Sequence, residues 1–237
     1  MLRKVKLLSL SAAISCVGIA THAGSLAEPV PTVAPVVVPA APVFDWSGHY
    51  AGGYLFHGNG SYEQQDTAGD LGVDVDVDGT GLGLRYGHNW QSGSTIYGVD
   101  VSVQTGLDGT TPQGTTGPFW SCTTGDCNVA IDALMTLRGR YGMTFGDGRT
   151  MGYGALGLAA GKIDGGIYNS NQQGTSTAVG YTAGLGLERM MTDRISIYGE
   201  VNYVDLGDID FGTDGGTETF FGDGSFSTLA LGVNYAF

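Results

Sequence analysis

The sequence predicts an all-β protein, an eight-stranded antiparallel transmembrane up-and-down β-barrel, and three observations support this prediction. Large apolar residues alternate with small or polar ones through the last thirteen residues, Ser225 to Phe237, which indicates a strand with one apolar face. After residue 23 the chain has no run of about eighteen apolar residues that would make a spanning helix. Glycine supplies 42 of the 237 residues, which suits tightly wound β-structure. A strand facing lipid must have every backbone group paired, so the sheet has to close on itself.

The first 23 residues are predicted to be a secretory signal peptide. Three basic residues precede an apolar segment from Leu7 to Ala20, and a small-residue stretch ends at a cleavage site after Ala23. Seven basic and 23 acidic residues remain after cleavage, a formal charge of −16. Because nucleic-acid phosphates attract the opposite charge, no nucleic-acid partner is expected.

Residues 24–44 are predicted to be a proline-rich periplasmic linker before a barrel of residues 45–237. Five prolines fall within the eighteen residues from Leu26 to Val43, which excludes a regular strand or helix and favours an extended polyproline-type spacer. A passive tether is the favoured interpretation, with a binding role as the alternative.

Eight segments of the barrel region show the period-two pattern of strands. They are Ser47 to Gly58, Thr80 to Trp90, the segment around 97–104, the segment ending at Phe145, Thr150 to Lys162, the segments around 179–188 and 195–203, and Ser225 to Phe237. The inward and outward faces of the first and fifth strands stay open, although Leu156, Leu158 and Ala160 are favoured as outward in the fifth.

The connections between these strands alternate in length. Those near 91–94, 146–149 and 190–194 are short, whereas those near 58–78, 106–128, 163–176 and 206–224 are long and polar. Short periplasmic turns and long external loops are typical of bacterial barrels, and an even strand number places both chain ends in the periplasm. Aromatic residues at the short-turn side are predicted to form an interfacial girdle: Trp46, Trp90, Tyr97, Phe145 and Phe237.

The same alternation directs six charged residues toward the lumen. Three are basic and three acidic: Arg85, Arg138, Arg140, Asp100, Glu188 and Glu200. A buried charge without a partner costs several kcal/mol. We therefore expect one network in which arginines bridge carboxylates from different strands and block continuous water passage. The alternative is that lumen water solvates each charge separately.

Two cysteines remain in the mature chain, Cys122 and Cys127. Their even number and the oxidising compartment favour a disulfide that closes a small loop at the tip of the second external loop. A metal site would require two further ligands, and no His or Cys lies nearby in the sequence.

Other motifs predict neither a metal site, a cofactor nor an enzyme. Residues Asp74 to Gly79 imitate the start of a calcium-binding EF-hand loop, but the twelfth position of that loop is Arg85 instead of a bidentate carboxylate. The alternation with valine also suits a strand that extends above the membrane, and looser cation binding at the surface is the alternative. No serine nucleophile motif or defensible Ser–His–acid arrangement is found in the sequence. The abundant loop acids are therefore interpreted as solvated charge.

Four stretches together resemble the opacity-type surface antigen family: DWSGHYAGGYLF, TLRGRYGMTF, YTAGLGLERMMTDRISIYGEVNYVDLG and LALGVNYAF. This family comprises small eight-stranded, porin-like outer-membrane barrels of alphaproteobacteria and their relatives, including immunogenic and haemin-binding members. The resemblance covers Asp45 to Phe237 and is clearest over 134–206 and the last strand. It implies the outer membrane of a Gram-negative bacterium, contact with lipid and lipopolysaccharide, and a C-terminal signal for the barrel-assembly machinery at Val233, Tyr235 and Phe237.

The expected function is structural: a surface antigen that contributes to envelope integrity and carries acidic external loops. An eight-stranded barrel is filled by its own side chains, which disfavours bulk-solute transport. The alternatives are a narrow porin-like channel or a receptor for haemin or a host-surface ligand. His57, where the first strand leaves the membrane, is the candidate haem contact, and an interfacial histidine without a ligand is the simpler interpretation.

Overall fold

The computed structural model describes residues 44–65, 71–118, 121–123, 125–167, 173–213 and 219–237. The predicted signal peptide and the predicted linker up to residue 43 lie outside the described residues. Within the described part of the chain, no helix is long and apolar enough to cross a membrane.

Nine strands form one antiparallel sheet. They are β1 (Gly48–Gln65), β2 (Leu71–Ser92), β3 (Thr95–Gln104), β4 (Leu107–Thr111), β5 (Cys127–Phe145), β6 (Thr150–Ile167), β7 (Gln173–Met190), β8 (Ile195–Thr213) and β9 (Thr219–Ala236). Apart from β3 and β4, successive strands pair with each other, and β1 pairs with both β2 and β9, which closes the ring. β3 and β4 share one position between β2 and β5. The barrel therefore has eight strand positions around the ring, here called staves, and the predicted fold class is confirmed.

The strand faces follow the predicted alternation across the membrane. Large apolar side chains point outward, as shown by exposures of 63% for Leu82, 72% for Leu185 and 63% for Leu231. In β6, Leu156 and Leu158 are also exposed, which agrees with the orientation favoured for that strand. These side chains form a continuous outer belt suited to lipid.

The strands extend further on the external side than the sequence predicted. β2 begins at Leu71 and β8 ends at Thr213, so much of the long segments expected to be loops is strand. The period of two continues there with reversed chemistry: Asp74 and Asp76 point outward while Val75 is fully buried. Because apolar side chains fill the interior at this level, the strands can continue above the lipid as in a water-soluble barrel.

An apolar cluster occupies the external part of the lumen. Its members come from all around the ring: Tyr62, Val75, Val77, Leu107, Val129, Ile131, Ile163, Ile167, Leu206, Ile209 and Phe226 are among them. A cavity in this cluster measures only about 10 Å³. On the outer surface at this level, Lys162 Nζ lies 2.7 Å from Asp132 Oδ2. That contact holds the pKa of Asp132 below its ordinary value and raises the pKa of Lys162.

A second apolar cluster closes the periplasmic end, and Trp46 is its centre. Trp46 is 4% exposed and packs with Ile96, Met151 and other residues inside the barrel. Its indole Nε1 donates a hydrogen bond of 2.8 Å to the Gly148 carbonyl, and its backbone nitrogen donates one of 2.7 Å to Gln91 Oε1. The prediction that Trp46 belongs to the outer aromatic girdle is therefore wrong. The chain turns inward before β1 and carries this side chain into the mouth of the barrel.

Candidate functional site in the barrel lumen

The six charged side chains directed inward lie between these two apolar clusters. None of them is more than 4% exposed. β2 supplies Arg85, β3 supplies Asp100, β5 supplies Arg138 and Arg140, β7 supplies Glu188, and β8 supplies Glu200. The alternation of each strand turns these side chains inward, and the register between the strands brings them within contact of one another.

Arg138 is the centre of the network. Its Nε lies 2.9 Å from Asp100 Oδ1 and its Nη2 lies 3.2 Å from Asp100 Oδ2. Asp100 is the direct cross-strand partner of Arg138. Arg138 Nη1 also reaches Glu200 Oε1 at 2.7 Å and Asn202 Oδ1 at 2.8 Å. One guanidinium group therefore joins carboxylates on both sides of the lumen, with the forked geometry that strengthens arginine–carboxylate pairs.

Glu200 receives a second arginine from the opposite wall. Arg85 Nη2 lies 2.8 Å from Glu200 Oε1, although the strands that carry them, β2 and β8, are separated by β1 and β9. The hydroxyl of Tyr153 donates to Glu200 Oε2 at 2.6 Å. Glu200 is therefore the carboxylate that connects two arginines and a tyrosine across the lumen.

Arg140 extends the network toward the periplasm. Its Nη2 lies 2.8 Å from Glu188 Oε2, and its Nη1 donates to the Tyr50 hydroxyl at 2.5 Å. Ser196 Oγ and Asn234 Nδ2 both donate to Glu188 Oε1, at 2.5 and 2.8 Å. Arg140 Nε is also 3.7 Å from Asp100 Oδ2, so the two halves of the network share Asp100. With these contacts, every one of the eight staves supplies a side chain to the network.

Four inward tyrosines surround the arginines, and each lies directly opposite a glycine on the neighbouring strand. The pairs are Tyr50 with Gly87, Tyr54 with Gly83, Tyr153 with Gly186, and Tyr198 with Gly232. A Cβ atom at Gly83 would lie 2.1 Å from the Tyr54 ring. The ring therefore lies against the backbone of the neighbouring strand, and this position requires glycine. The placement brings the Tyr153 ring to 3.9 Å and the Tyr198 ring to 4.4 Å from the guanidinium carbons of Arg140 and Arg85. Cation–π contacts therefore add to the ion pairs.

The network is tightly packed. The cavity among Arg85, Arg138, Glu200 and their neighbours measures about 10 Å³, roughly the space needed for one water molecule. Arg85 Nε and Nη1 form no hydrogen bond within the described part of the protein. The guanidinium group of Arg85 lies over the Tyr198 ring instead. The site therefore contains three positive and three negative groups in contact around a cavity of about 10 Å³.

The two mature cysteines form a disulfide, and its position differs from the expected loop tip. Cys122 and Cys127 are bonded and fully buried in the external apolar cluster. Cys127 is the first residue of β5. The loop therefore folds back so that the disulfide covers the external core, because a disulfide is apolar and that cluster excludes water.

The remaining predicted residues lie on the outer surface. His57 is the direct partner of Thr80 across β1 and β2, and its Nδ1 lies 3.2 Å from Thr80 Oγ1. Tyr235 and Phe237 are exposed at the periplasmic edge, and the Phe237 nitrogen donates a 3.1 Å hydrogen bond to the His49 carbonyl. Among the described residues, no group of three His, Cys, Asp or Glu side chains is placed to hold a metal ion.

Sequence reasoning missed the polar and aromatic partners of the charges. The period of two assigns Asn202 and Asn234 to the inward face, whereas the open faces of the first and fifth predicted strands left Tyr50 and Tyr153 unassigned. That each tyrosine covers a glycine depends on the register between strands, and this register is visible only in the folded ring.

A closed antiparallel ring, an outer apolar belt and a polar lumen define an integral outer-membrane β-barrel. Residues 32–237 match the family model described as outer membrane protein beta-barrel domain, and the chain belongs to this family. It is 29% identical to the 31 kDa outer-membrane immunogenic protein of Brucella melitensis over 228 residues, which cover 90% of both chains. It is 28% identical to a 22 kDa outer membrane protein of Rhizobium leguminosarum, covering 83% of this chain and 82% of the relative.

A solved structure has the same fold. The outer membrane protein OprG from Pseudomonas aeruginosa aligns with a TM-score of 0.58 at 14% identity, over 82% of this chain and 98% of OprG. The relatives and this fold confirm the resemblance to small surface barrels and the location in the outer membrane of a Gram-negative bacterium.

Proposed function

We propose that this protein is a structural component of the outer membrane and does not act as a pore. The observation that carries the proposal is the filled lumen. Three layers follow one another along the barrel: the periplasmic cluster around Trp46, the charge network, and the external apolar cluster. The cavities in the network and in the external cluster are about 10 Å³ each, which is too small for a chain of water molecules.

A surface-antigen role fits the charge distribution. The mature chain has seven basic residues, and only Lys162 belongs to the external part of the barrel, where most of the acidic residues lie. The related Brucella melitensis protein is named an immunogenic outer-membrane protein. We infer that the acidic external part of this chain is likewise accessible to antibodies at the cell surface.

Two measurements test the structural role. The refolded barrel, reconstituted in planar lipid bilayers, should give no ion conductance above the background of the bilayer. A strain that lacks the gene should become more sensitive to detergent, and expression of the full chain should restore resistance. Stable single-channel steps from the wild-type protein would favour the narrow-channel alternative. A deletion strain with unchanged detergent resistance would contradict the envelope role.

Haemin binding is the alternative that the outward position of His57 allows. Its imidazole is exposed at the external edge of the outer belt. A structural barrel should show no saturable shift of the haemin Soret band during titration. A saturable shift that disappears in His57→Ala, while His49→Ala retains it, would establish the receptor function instead.

We also propose that Val233, Tyr235 and Phe237 form the signal for the barrel-assembly machinery. All three point outward at the end of the chain, where a folding factor can reach them before the ring closes. Phe237→Ala should lower the amount of folded protein in the outer membrane severalfold, without preventing refolding in detergent. Leu229→Ala, an outward change earlier on the same strand, is the control. An equal loss of folded outer-membrane protein in both variants would show that assembly depends on the apolar outer surface in general and on no signal at the end of the chain.

A further inference from the structure

A groove lies on the outer surface of the barrel near its periplasmic end. It has a volume of about 520 Å³. Its floor is Gly199, and apolar outward side chains form its walls: Leu187, Ile197, Leu231 and Val233. Arg189 and Thr150 line its periplasmic end. The groove is therefore apolar along its length and basic at one end.

The basic residues of the mature chain are distributed unevenly, and this explains the charge at that end. Three arginines are buried in the lumen network, and Lys162 lies at the external side. The remaining three arginines all lie at the periplasmic turns: Arg149, Arg189 and Arg194. In a chain whose formal charge is strongly negative, this is the part of the exposed surface where positive charge is concentrated.

The three turn arginines differ in their partners. Arg149 Nη2 lies 2.7 Å from Asp193 Oδ1, and Arg189 Nη2 lies 3.3 Å from Asp147 Oδ2. Arg194 Nη1 donates to the Tyr235 hydroxyl at 3.2 Å, and no carboxylate of the described residues pairs with it. Asp45 and the C-terminal carboxylate of Phe237 lie at the same end of the barrel, but neither forms a salt bridge with Arg194 within the described structure, so Arg194 is the turn arginine whose guanidinium has no carboxylate partner.

Register places Arg189 and Arg194 at the same edge of the groove. Arg189, Ile197 and Val233 are successive cross-strand partners on β7, β8 and β9. The next outward position on β9 is Tyr235, whose hydroxyl accepts from Arg194. The two guanidinium groups therefore lie where the apolar groove ends, which is the depth of lipid headgroups.

We propose that this groove binds one anionic phospholipid of the periplasmic leaflet. An acyl chain would lie over Gly199 between Leu187 and Leu231. The phosphate would accept hydrogen bonds from Arg194 and Arg189, because guanidinium groups match phosphate oxygens in geometry and charge. An occupant with an apolar chain and an anionic head satisfies both parts of the groove.

Native mass spectrometry of the refolded mature chain tests this proposal. The protein in detergent is mixed with equal amounts of phosphatidylglycerol and phosphatidylethanolamine, and the bound lipids are counted. We expect one retained phosphatidylglycerol per barrel. A basic residue near a membrane surface contributes about 1 kcal/mol to the attraction of anionic lipid, so Arg194→Gln should weaken this binding about fivefold. Arg189→Gln combined with Arg194→Gln should weaken it about 25-fold.

Two further variants separate the acyl chain from the charge. Gly199→Leu fills the floor of the groove from its outward side and should abolish retention while the barrel still folds. Lys162→Gln removes one positive charge at the opposite end and should leave retention unchanged. Equal retention of both lipids, displacement by inorganic phosphate alone, or no effect of Arg194→Gln would overturn the proposal. So would a dimer that Gly199→Leu dissociates, because the groove would then be an interface between two copies.

Discussion

Glu200 shows at the scale of one residue how a buried charge is accommodated in this barrel. It is 1% exposed and accepts hydrogen bonds from Tyr153 and from two arginines, on β2 and β5, that reach it across the lumen. The cost of removing its carboxylate from water is offset only while these three donors are in place. Removing Glu200 is therefore expected to lower the free energy of unfolding strongly, even if the intact network contributes little net stability.

Replacing this carboxylate leaves Arg85 without its only ion-pair partner in the described structure. Glu200→Ala should lower the free energy of unfolding by about 3–5 kcal/mol, the usual cost of an unpaired buried charge. Urea titration of the barrel in lipid vesicles, followed by tryptophan fluorescence, measures this change. Asp76→Ala, which removes an exposed acid from β2, should change the stability little. Conductance should also rise in Glu200→Ala because the plug is loosened; unchanged stability and conductance would contradict the role of the network.

At the scale of a strand, the edge of the outer belt can be located to about two residues. On β2 the outward side chains change from Asp78 and Thr80 to Leu82 and Leu84 without any change of register. Leu231→Arg should cost about 2–4 kcal/mol because it places a charge near the middle of the lipid, whereas Thr80→Arg should cost about 0–1 kcal/mol at the edge. Reversible unfolding in vesicles measures both. Similar costs at the two positions would show that the belt is placed wrongly.

The disulfide belongs to the same scale because it joins a loop to the start of β5. It closes a loop of about six residues. Because the bond restricts the conformational entropy of the unfolded chain, it is expected to contribute about 2 kcal/mol to stability. Reduction, or the paired changes Cys122→Ser and Cys127→Ser, should lower the unfolding free energy by that amount. The folded band that migrates differently after heating should remain on gels. Loss of that band after reduction would mean that the folded barrel depends on the disulfide and is not held by the strand pairing alone.

Much of this architecture could be predicted from the sequence because the period of two is a local property. It assigns Arg138 to the lumen and Leu137 to lipid regardless of the rest of the fold. The alternation of Asp and Val at 74–78 suits a strand that extends above the lipid, with Val75 inward and Asp76 outward. The distance to which the strands continue could not be predicted in this way, because the rest of these segments is polar and rich in glycine. Trp46 could not be placed either. Its partners Gln91 and Gly148 are 45 and 102 residues away.

At the largest scale, the barrel is a ring that closes between its first and last strands, and the Arg85–Glu200 contact crosses that junction. A slip of one residue between β1 and β9 would turn apolar side chains inward, and the outer belt opposes it. A slip of two residues preserves both faces, so the apolar pattern does not oppose it. Such a slip would move β2 relative to β8 by about 7 Å, and Arg85 would lose Glu200.

Cysteine pairs on the outer face can detect this error. Leu55 and Leu231 are direct partners in the closed ring, so Leu55→Cys with Leu231→Cys should form a crosslink in the otherwise native barrel. In Glu200→Ala, crosslinks between Leu55→Cys and either Leu229→Cys or Val233→Cys should increase. If only the native pair reacts in both backgrounds, the charges have no influence on closure.

The charges in the lumen thus carry information that the belt does not. A pattern that repeats every two residues is unchanged when a strand shifts by two residues, so it does not define a single register. The six charged residues lie at single positions on five strands, and their contacts form in only one register. The outer apolar belt would be equally well satisfied in several registers. A barrel of this size needs no opening through its centre. Its lumen side chains can therefore specify the register in which β1 and β9 pair.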